Sequence, residues 1–134
     1  MRVVLDTNVV LRAISSKSKL SIILDELFNQ SFTLLVSSEI LLEYEELITK
    51  FYGISIAKDF LDFLTILPNV EKVEPHFHLG LIEKDPDDNK FSDCAFAGNV
   101  HFLVTDDKHF NILKEIEFPR IEVIMANDFL NLFI

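Results

Sequence analysis

The chain has a single cysteine, Cys94, so no disulfide can close within it. Tryptophan is absent, and 3 glycines and 4 prolines leave no linker and no low-complexity tail. Cations are scarce, with 12 Lys and Arg against 22 Asp and Glu, for a formal charge of −10. This balance argues against a passive nucleic-acid binder, because such proteins take most of their affinity from Lys and Arg neutralising phosphates. Any polyanion must be met locally or through a cation. Apolar runs such as 22–24 and 60–67 fall far short of the roughly 20 residues that span a bilayer, and the start MRVVLDTN lacks the apolar core and cleavage site of a secretory leader. No membrane segment is expected, and the cytoplasm is the expected location.

What the sequence does have is 134 residues with 49% hydrophobic composition. That is enough for one domain, residues 1–134, to bury roughly two thirds of its unfolded surface. Residues 2–5 read as a strand, Asp6-Thr7-Asn8 as a turn, and Val9, Val10, Leu11 and Ile14 as one face of a helix. Helical spacing returns over 20–28, and 31–36 reads as a second strand. Ser37 or Ser38 can cap a helix whose apolar side carries Ile40, Leu41, Tyr44, Leu47, Ile48 and Phe51 and which ends near Gly53. Ser55 is expected to cap the next, with Ile56, Phe60, Phe63, Leu64 and Leu67 inward, giving an antiparallel helix pair. Residues 69–74 alternate weakly as a third strand. Asp85-Pro86-Asp87-Asp88 signals a helix start, and Phe91, Cys94, Ala95 and Gly98 follow as a narrow stripe for close packing. Residues 102–105 form a buried strand, a short helix runs from about 109 to 116, residues 121–125 form the last strand, and Asn127 caps a terminal helix. Strands separated by helices predict right-handed crossovers and a mainly parallel sheet with helices on both faces.

The acids fall in groups: Glu43, Glu45 and Glu46; Asp85, Asp87 and Asp88; Asp106 and Asp107. Parallel sheets gather their strand C-termini at one edge, and ligands sit in the crevice there. Asp6 and Asp107 both follow strand ends, and Asp88 begins the helix that precedes strand 102–105. Three acids from distant parts of the chain are thus expected on one rim. Two ionised carboxylates about 5 Å apart repel by roughly 3 kcal/mol at an effective dielectric of about 20, so such a cluster calls for a cation. Mg²⁺ or Mn²⁺ prefers carboxylate oxygens and water and bridges to phosphates. The same ion lowers the pKa of a bound water, which lets an acidic protein cut a phosphodiester.

Four motifs occur in order: Leu5-Asp6-Thr7-Asn8-Val9-Val10, Ser38-Glu39-Ile40-Leu41-Leu42-Glu43-Tyr44, Asp85-Pro86-Asp87-Asp88-Asn89-Lys90-Phe91 and Val104-Thr105-Asp106-Asp107-Lys108. Together they resemble the PIN-domain family, in particular the VapC-like toxins of prokaryotic toxin–antitoxin pairs, over essentially the whole chain. The resemblance implies a three-layer α/β/α sandwich on a five-stranded parallel sheet. It implies a Mg²⁺- or Mn²⁺-dependent endoribonuclease acting on single-stranded or looped RNA, leaving 5′ phosphate and 3′ hydroxyl ends. By position it assigns metal binding and catalysis to Asp6, Glu43, Asp88 and Asp107, with Asn8 and Thr105 in support. It also implies a small antitoxin whose C-terminal segment covers the crevice, and a homodimer. Relatives commonly carry Val-Thr-Gly-Asp where this chain has Val104-Thr105-Asp106-Asp107, so Asp106 stands beside Asp107 for the fourth role. Asp85 and Asp87 stand beside Asp88 for the third, where helix-cap geometry favours Asp88.

Bland alternatives exist for each feature. Asp6 and Asp107 are also good helix caps. Glu39, Glu43, Glu46 and Lys50 have the spacing of a solvated face, and Glu45 borders the apolar stripe much as Glu43 does. His76, His78, His101 and His109 make no zinc pattern with Cys94, which reads as a small packing residue. The 13 phenylalanines read as core. Lys17, Lys19, Lys90 and Lys108 flank the acidic motifs and are placed either to meet phosphates or as ordinary surface lysines. Two further classes compete with the nuclease: a receiver- or phosphatase-like phosphate domain, and a PIN-like interaction module without turnover. A receiver needs an acceptor Asp after a central strand, and haloacid-dehalogenase-like phosphatases need Asp-x-Asp where this chain has Asn8.

Overall fold

The computed structural model describes residues 1–76, 78–82 and 86–134. Five strands, β1 Arg2–Leu5, β2 Thr33–Val36, β3 Val70–Lys72, β4 Phe102–Val104 and β5 Val123–Ile124, form one sheet in the order β3-β2-β1-β4-β5. Every pairing is parallel. Val3, Val4 and Leu5 are fully buried in succession, as are Leu34 and Leu35 and then Leu103 and Val104. Side chains alternate across a strand, so unbroken burial means both sheet faces are covered. The covering helices are α1 Thr7–Ile14, α2 Ser21–Phe28, α3 Ser38–Tyr52, α4 Ile54–Ile66, α5 Asn89–Ala97 and α6 Ala126–Leu130. The result is the expected three-layer α/β/α sandwich, with its buried apolar residues in one continuous cluster.

Local chemistry explains most element ends. Ser37 caps α3, its hydroxyl accepting from the Ile40 N–H at 3.2 Å. Gly53, at φ +95°, is the single residue between α3 and α4 and caps both. That conformation suits glycine, and it puts Ser55 inside α4, so Ser55 does not cap it. The inward face of α4 is Ala57, Phe60 and Leu64, while Ile56 and Phe63 are 41% and 48% exposed. On α3 the buried set is Ile40, Tyr44 and Ile48, and Phe51 is exposed. These helices pack partly on each other, Tyr44 meeting Phe60 edge-on, so each buries a narrower stripe than its apolar content suggests. Phe63 instead leans on Phe28 of α2.

Two further departures bear on the site. Asn127 lies within α6 and does not cap it. The Ala126 N–H donates to Asp106 Oδ1 at 2.9 Å, a cap supplied from the end of the neighbouring strand β4. On α5 burial extends beyond the small-residue stripe to Ser92 and Asp93. At Gly98, a Cβ would sit 2.0 Å from Leu35 Cδ2, so the end of α5 presses directly on β2.

Candidate active site at the edge between β1 and β4

β1 and β4 run side by side, Leu5 opposite Val104, and the sheet order reverses there. That switch point opens a crevice beyond the strand C-termini. The Asp6 N–H donates to the Val104 carbonyl at 3.0 Å, so Asp6 leaves the sheet at a fixed place and caps α1. Asp6 Oδ1 accepts from the Thr7 N–H at 2.7 Å and Oδ2 from the Thr105 hydroxyl at 2.7 Å. Thr105 in turn accepts from the Asp107 N–H at 3.0 Å, which ties the two strand-end acids together. Asp6 is only 4% exposed. Burial pushes its carboxyl up to about 6, against the pull of the Thr105 and Thr7 bonds, and the charges of Glu43 and Asp107 push the same way.

Glu43 reaches this rim from α3. The adjacent Tyr44 is fully buried, and its hydroxyl donates to the Leu5 carbonyl at 2.5 Å, pinning α3 to the end of β1. Burial, followed by the charge of Asp6, holds the Tyr44 hydroxyl well above its ordinary pKa, so it stays a donor. One Glu43 oxygen accepts from the Thr7 hydroxyl, and the other accepts from Lys90 Nζ at 2.8 Å. Burial works to lower the Lys90 pKa but is outweighed by Glu43, Asp87 and Glu39, which raise it. Glu45 is exposed and faces a separate hollow beside Lys58 and Asp62. The structure therefore brings Glu43, and not Glu45, to the crevice.

The third and fourth motifs meet at the same place. Asp107 begins a 3₁₀ segment, Lys108–Glu115, with its Oδ1 accepting from the His109 N–H at 2.9 Å. Asp88, Asp107 and His109 offer ligand atoms that all lie within 4.8 Å of one another. Among the described residues no other His, Cys, Asp or Glu trio converges so closely, and the charges of Asp107 and Glu43 both act on Asp6. Asp88 ends a 3₁₀ turn, Pro86–Asp88, and its side chain does not cap α5. Capping therefore does not mark Asp88; its approach to His109 does. Asp106 faces away, paired with Arg12 and capping α6. Asp87 lines a cavity of about 220 Å³ shared with Lys90 and Asp93. Asp85 lies outside the described residues. Asn8 Oδ1 is buried without a hydrogen-bond partner among the described residues.

Sequence reasoning gave Thr7 and His109 no part in the site and weighed Lys90 only as a phosphate contact or a surface lysine. Thr7 and Lys90 hold Glu43, and His109 stands between Asp88 and Asp107. The His109 signal was its spacing, two residues after an acid that caps a turn. Asp93 was also missed. It is 4% exposed and accepts from the Leu79 N–H at 3.0 Å, with His78 Nδ1 3.2 Å from its other oxygen.

Residues 2–109 match the family model described as PIN domain. The chain belongs to the PIN-domain family. PIN domains are in general nucleases, and that membership leaves the receiver-like and phosphatase-like readings without support. The PIN fold here is similar to a chain in the crystal structure of VapBC2 from Rickettsia felis bound to a DNA fragment from their promoter. That match has a TM-score of 0.63 and 21% identity, covering 93% of this chain and 98% of that one. It is also similar to a chain of DNA-bound VapBC from Salmonella typhimurium, with TM-score 0.61, 17% identity and coverage of 94% and 98%. A third likeness is to VapBC-1 from nontypeable Haemophilus influenzae, with TM-score 0.62, 16% identity and coverage of 95% and 99%. At these identities the likeness is one of fold. No curated protein sequence matches the chain.

The donor set of this PIN domain fits a divalent cation. It offers carboxylate oxygens from four elements and an imidazole nitrogen, and Asn8, two residues from Asp6, has a buried oxygen lacking a hydrogen-bond partner among the described residues. Cys94 does not enter the chemistry, since it is buried and its thiol is pushed up to about 12 by burial, then by Glu74 and Asp93. No helix among the described residues is long and apolar enough to cross a membrane.

Proposed function

We propose that this PIN domain is a Mg²⁺- or Mn²⁺-dependent endoribonuclease that hydrolyses single-stranded or looped RNA, acting in the cytoplasm as the toxin of a toxin–antitoxin pair. The observation that carries this reading is the meeting of Asp6, Glu43, Asp88 and Asp107 at one strand-end crevice. Asp6 is buried and loaded by the charges of Glu43 and Asp107, and Asp107 is grouped with Asp88. Asp6, Glu43, Asp88 and Asp107 would hold the cation. Asp106 acts elsewhere, as the cap of α6.

A divalent ion held there supplies Lewis acidity and a water of lowered pKa. The chain's own groups supply position. Thr7 N–H and the Thr105 hydroxyl fix both Asp6 oxygens, so the remaining lone pairs keep one direction. Lys90, paired with Glu43, brings an ammonium to the rim that can pass to a phosphate oxygen as RNA arrives. This local cation answers the difficulty set by the net charge. An antitoxin partner is supported by the VapBC assemblies in which the similar folds are found. A homodimer belongs to the same proposal.

The test is cleavage of an unstructured RNA by the purified chain with Mn²⁺. Wild type is expected to cut and Asp6→Asn to be inactive. Equal cleavage by both would overturn the reading.

A further inference from the structure

His109 sits two residues beyond Asp107, where the backbone turns into the 3₁₀ segment. Its N–H is fixed on Asp107 Oδ1 at 2.9 Å. Its ring nitrogen Nδ1 lies 3.6 Å from Asp107 Oδ1 and 3.7 Å from Asp88 Oδ2. Both are ion-pair separations, longer than a hydrogen bond. With bonds of roughly 2.1 Å, ligand atoms around one small ion lie between roughly 3 and 4.2 Å apart, and both separations fall inside that range. The imidazole is 43% exposed, so burial in the core does not account for its position. Asn8 Oδ1, in the first turn of α1 and two residues from Asp6, is buried without a hydrogen-bond partner among the described residues.

We propose that His109 is a nitrogen ligand of the metal centre and biases it from Mg²⁺ toward Mn²⁺ and related first-row transition ions. The inference rests on the metal-dependent reading above and goes beyond its four carboxylates. Mg²⁺ selects oxygen ligands and keeps its waters; Mn²⁺ shares the preference for oxygen but also accepts imidazole, and affinity for such a mixed site rises along the first row toward Co²⁺. A centre built of carboxylates alone leaves that choice to geometry and supply. One nitrogen donor adds affinity for Mn²⁺ or Co²⁺ and little for Mg²⁺. Ligation through Nδ1 leaves the ring proton on Nε2.

The experiment uses the full chain without RNA. Mn²⁺ binding is followed by electron paramagnetic resonance of the free ion, Co²⁺ binding by its visible absorption, and Mg²⁺ binding by competition with Mn²⁺. His109→Ala and His109→Gln are compared with wild type, circular dichroism identifying whichever variant is folded. Either variant is expected to weaken Mn²⁺ and Co²⁺ binding by roughly tenfold or more, the scale on which even outer partners of a metal site act. Mg²⁺ binding is expected to change by less than about threefold, since it draws little on nitrogen. The Co²⁺ spectrum should also lose its nitrogen-ligand character. Unchanged Mn²⁺ and Co²⁺ affinity in a folded variant overturns the role of His109. The metal centre itself then still stands, provided Asp6→Asn loses the ions. Failure of wild type to bind any of the three ions overturns both proposals.

Discussion

The Thr105 hydroxyl donates to Asp6 Oδ2 at 2.7 Å while accepting from the Asp107 N–H at 3.0 Å. One side chain thus sets the spacing of two acids that approach from different strands, and it is buried while doing so. Replacing it with a residue of the same shape and no hydroxyl isolates that role. Thr105→Val is expected to lower stability by about 1–3 kcal/mol, because it strands a buried acceptor and a backbone donor. It should also raise the Asp6 pKa further, since the lost bond is one that lowers it. Denaturant titration and Mn²⁺ affinity read the two effects, and Thr105→Ser should restore both.

Asp6 gives the metal-free protein a defined dependence on pH. Its carboxyl is raised from 3.8 to about 6 in the native state, so between those values the folded chain binds more protons than the unfolded one. Stability therefore falls as pH rises from about 4 to about 6 and is level above that for this group. The contribution is at most about 3 kcal/mol. Bound cation favours the ionised form, so Mn²⁺ affinity should climb across the same range. Urea denaturation in EDTA, wild type against Asp6→Asn, gives the difference curve; parallel curves would show that Asp6 holds no proton in this window.

The adjacent pair Asp106 and Asp107 should separate cleanly under mutation. Asp106→Asn weakens the pairing with Arg12 and the cap on α6, so a stability loss of about 1 kcal/mol is expected with RNA cleavage retained. Asp107→Asn keeps an oxygen to accept from the His109 N–H but loses the charge grouped with Asp88, so cleavage should go while stability changes little. Thermal melts and a cleavage assay on both variants decide it. The reverse pattern would exchange the two roles.

Much of this arrangement was readable from the chain. Unbroken apolar runs such as Val3-Val4-Leu5 and Leu103-Val104 declare strands covered on both faces, and the helices between them force parallel pairing. Asp6 and Asp107 follow such runs, which is why they could be assigned to one rim. Gly53 ended α3 as expected, but Ser55 misled. A serine caps a helix only where the chain enters it, and here the chain turns directly from one helix into the next. Phe51 and Ile56 misled because periodicity counts apolar residues on a helix without saying how wide a stripe its neighbours cover.

Composition and spacing by themselves determined the layered parallel sheet and the strand-end placement of acids, because alternation, apolar runs and caps act over a few residues. Tertiary structure alone chose between Glu43 and Glu45 and turned Asp106 away from Asp107. It also set His109 against Asp88. Those choices depend on where Tyr44, Arg12 and the Ala126 N–H arrive from other elements, and a carboxylate's role follows the partner that reaches it through space.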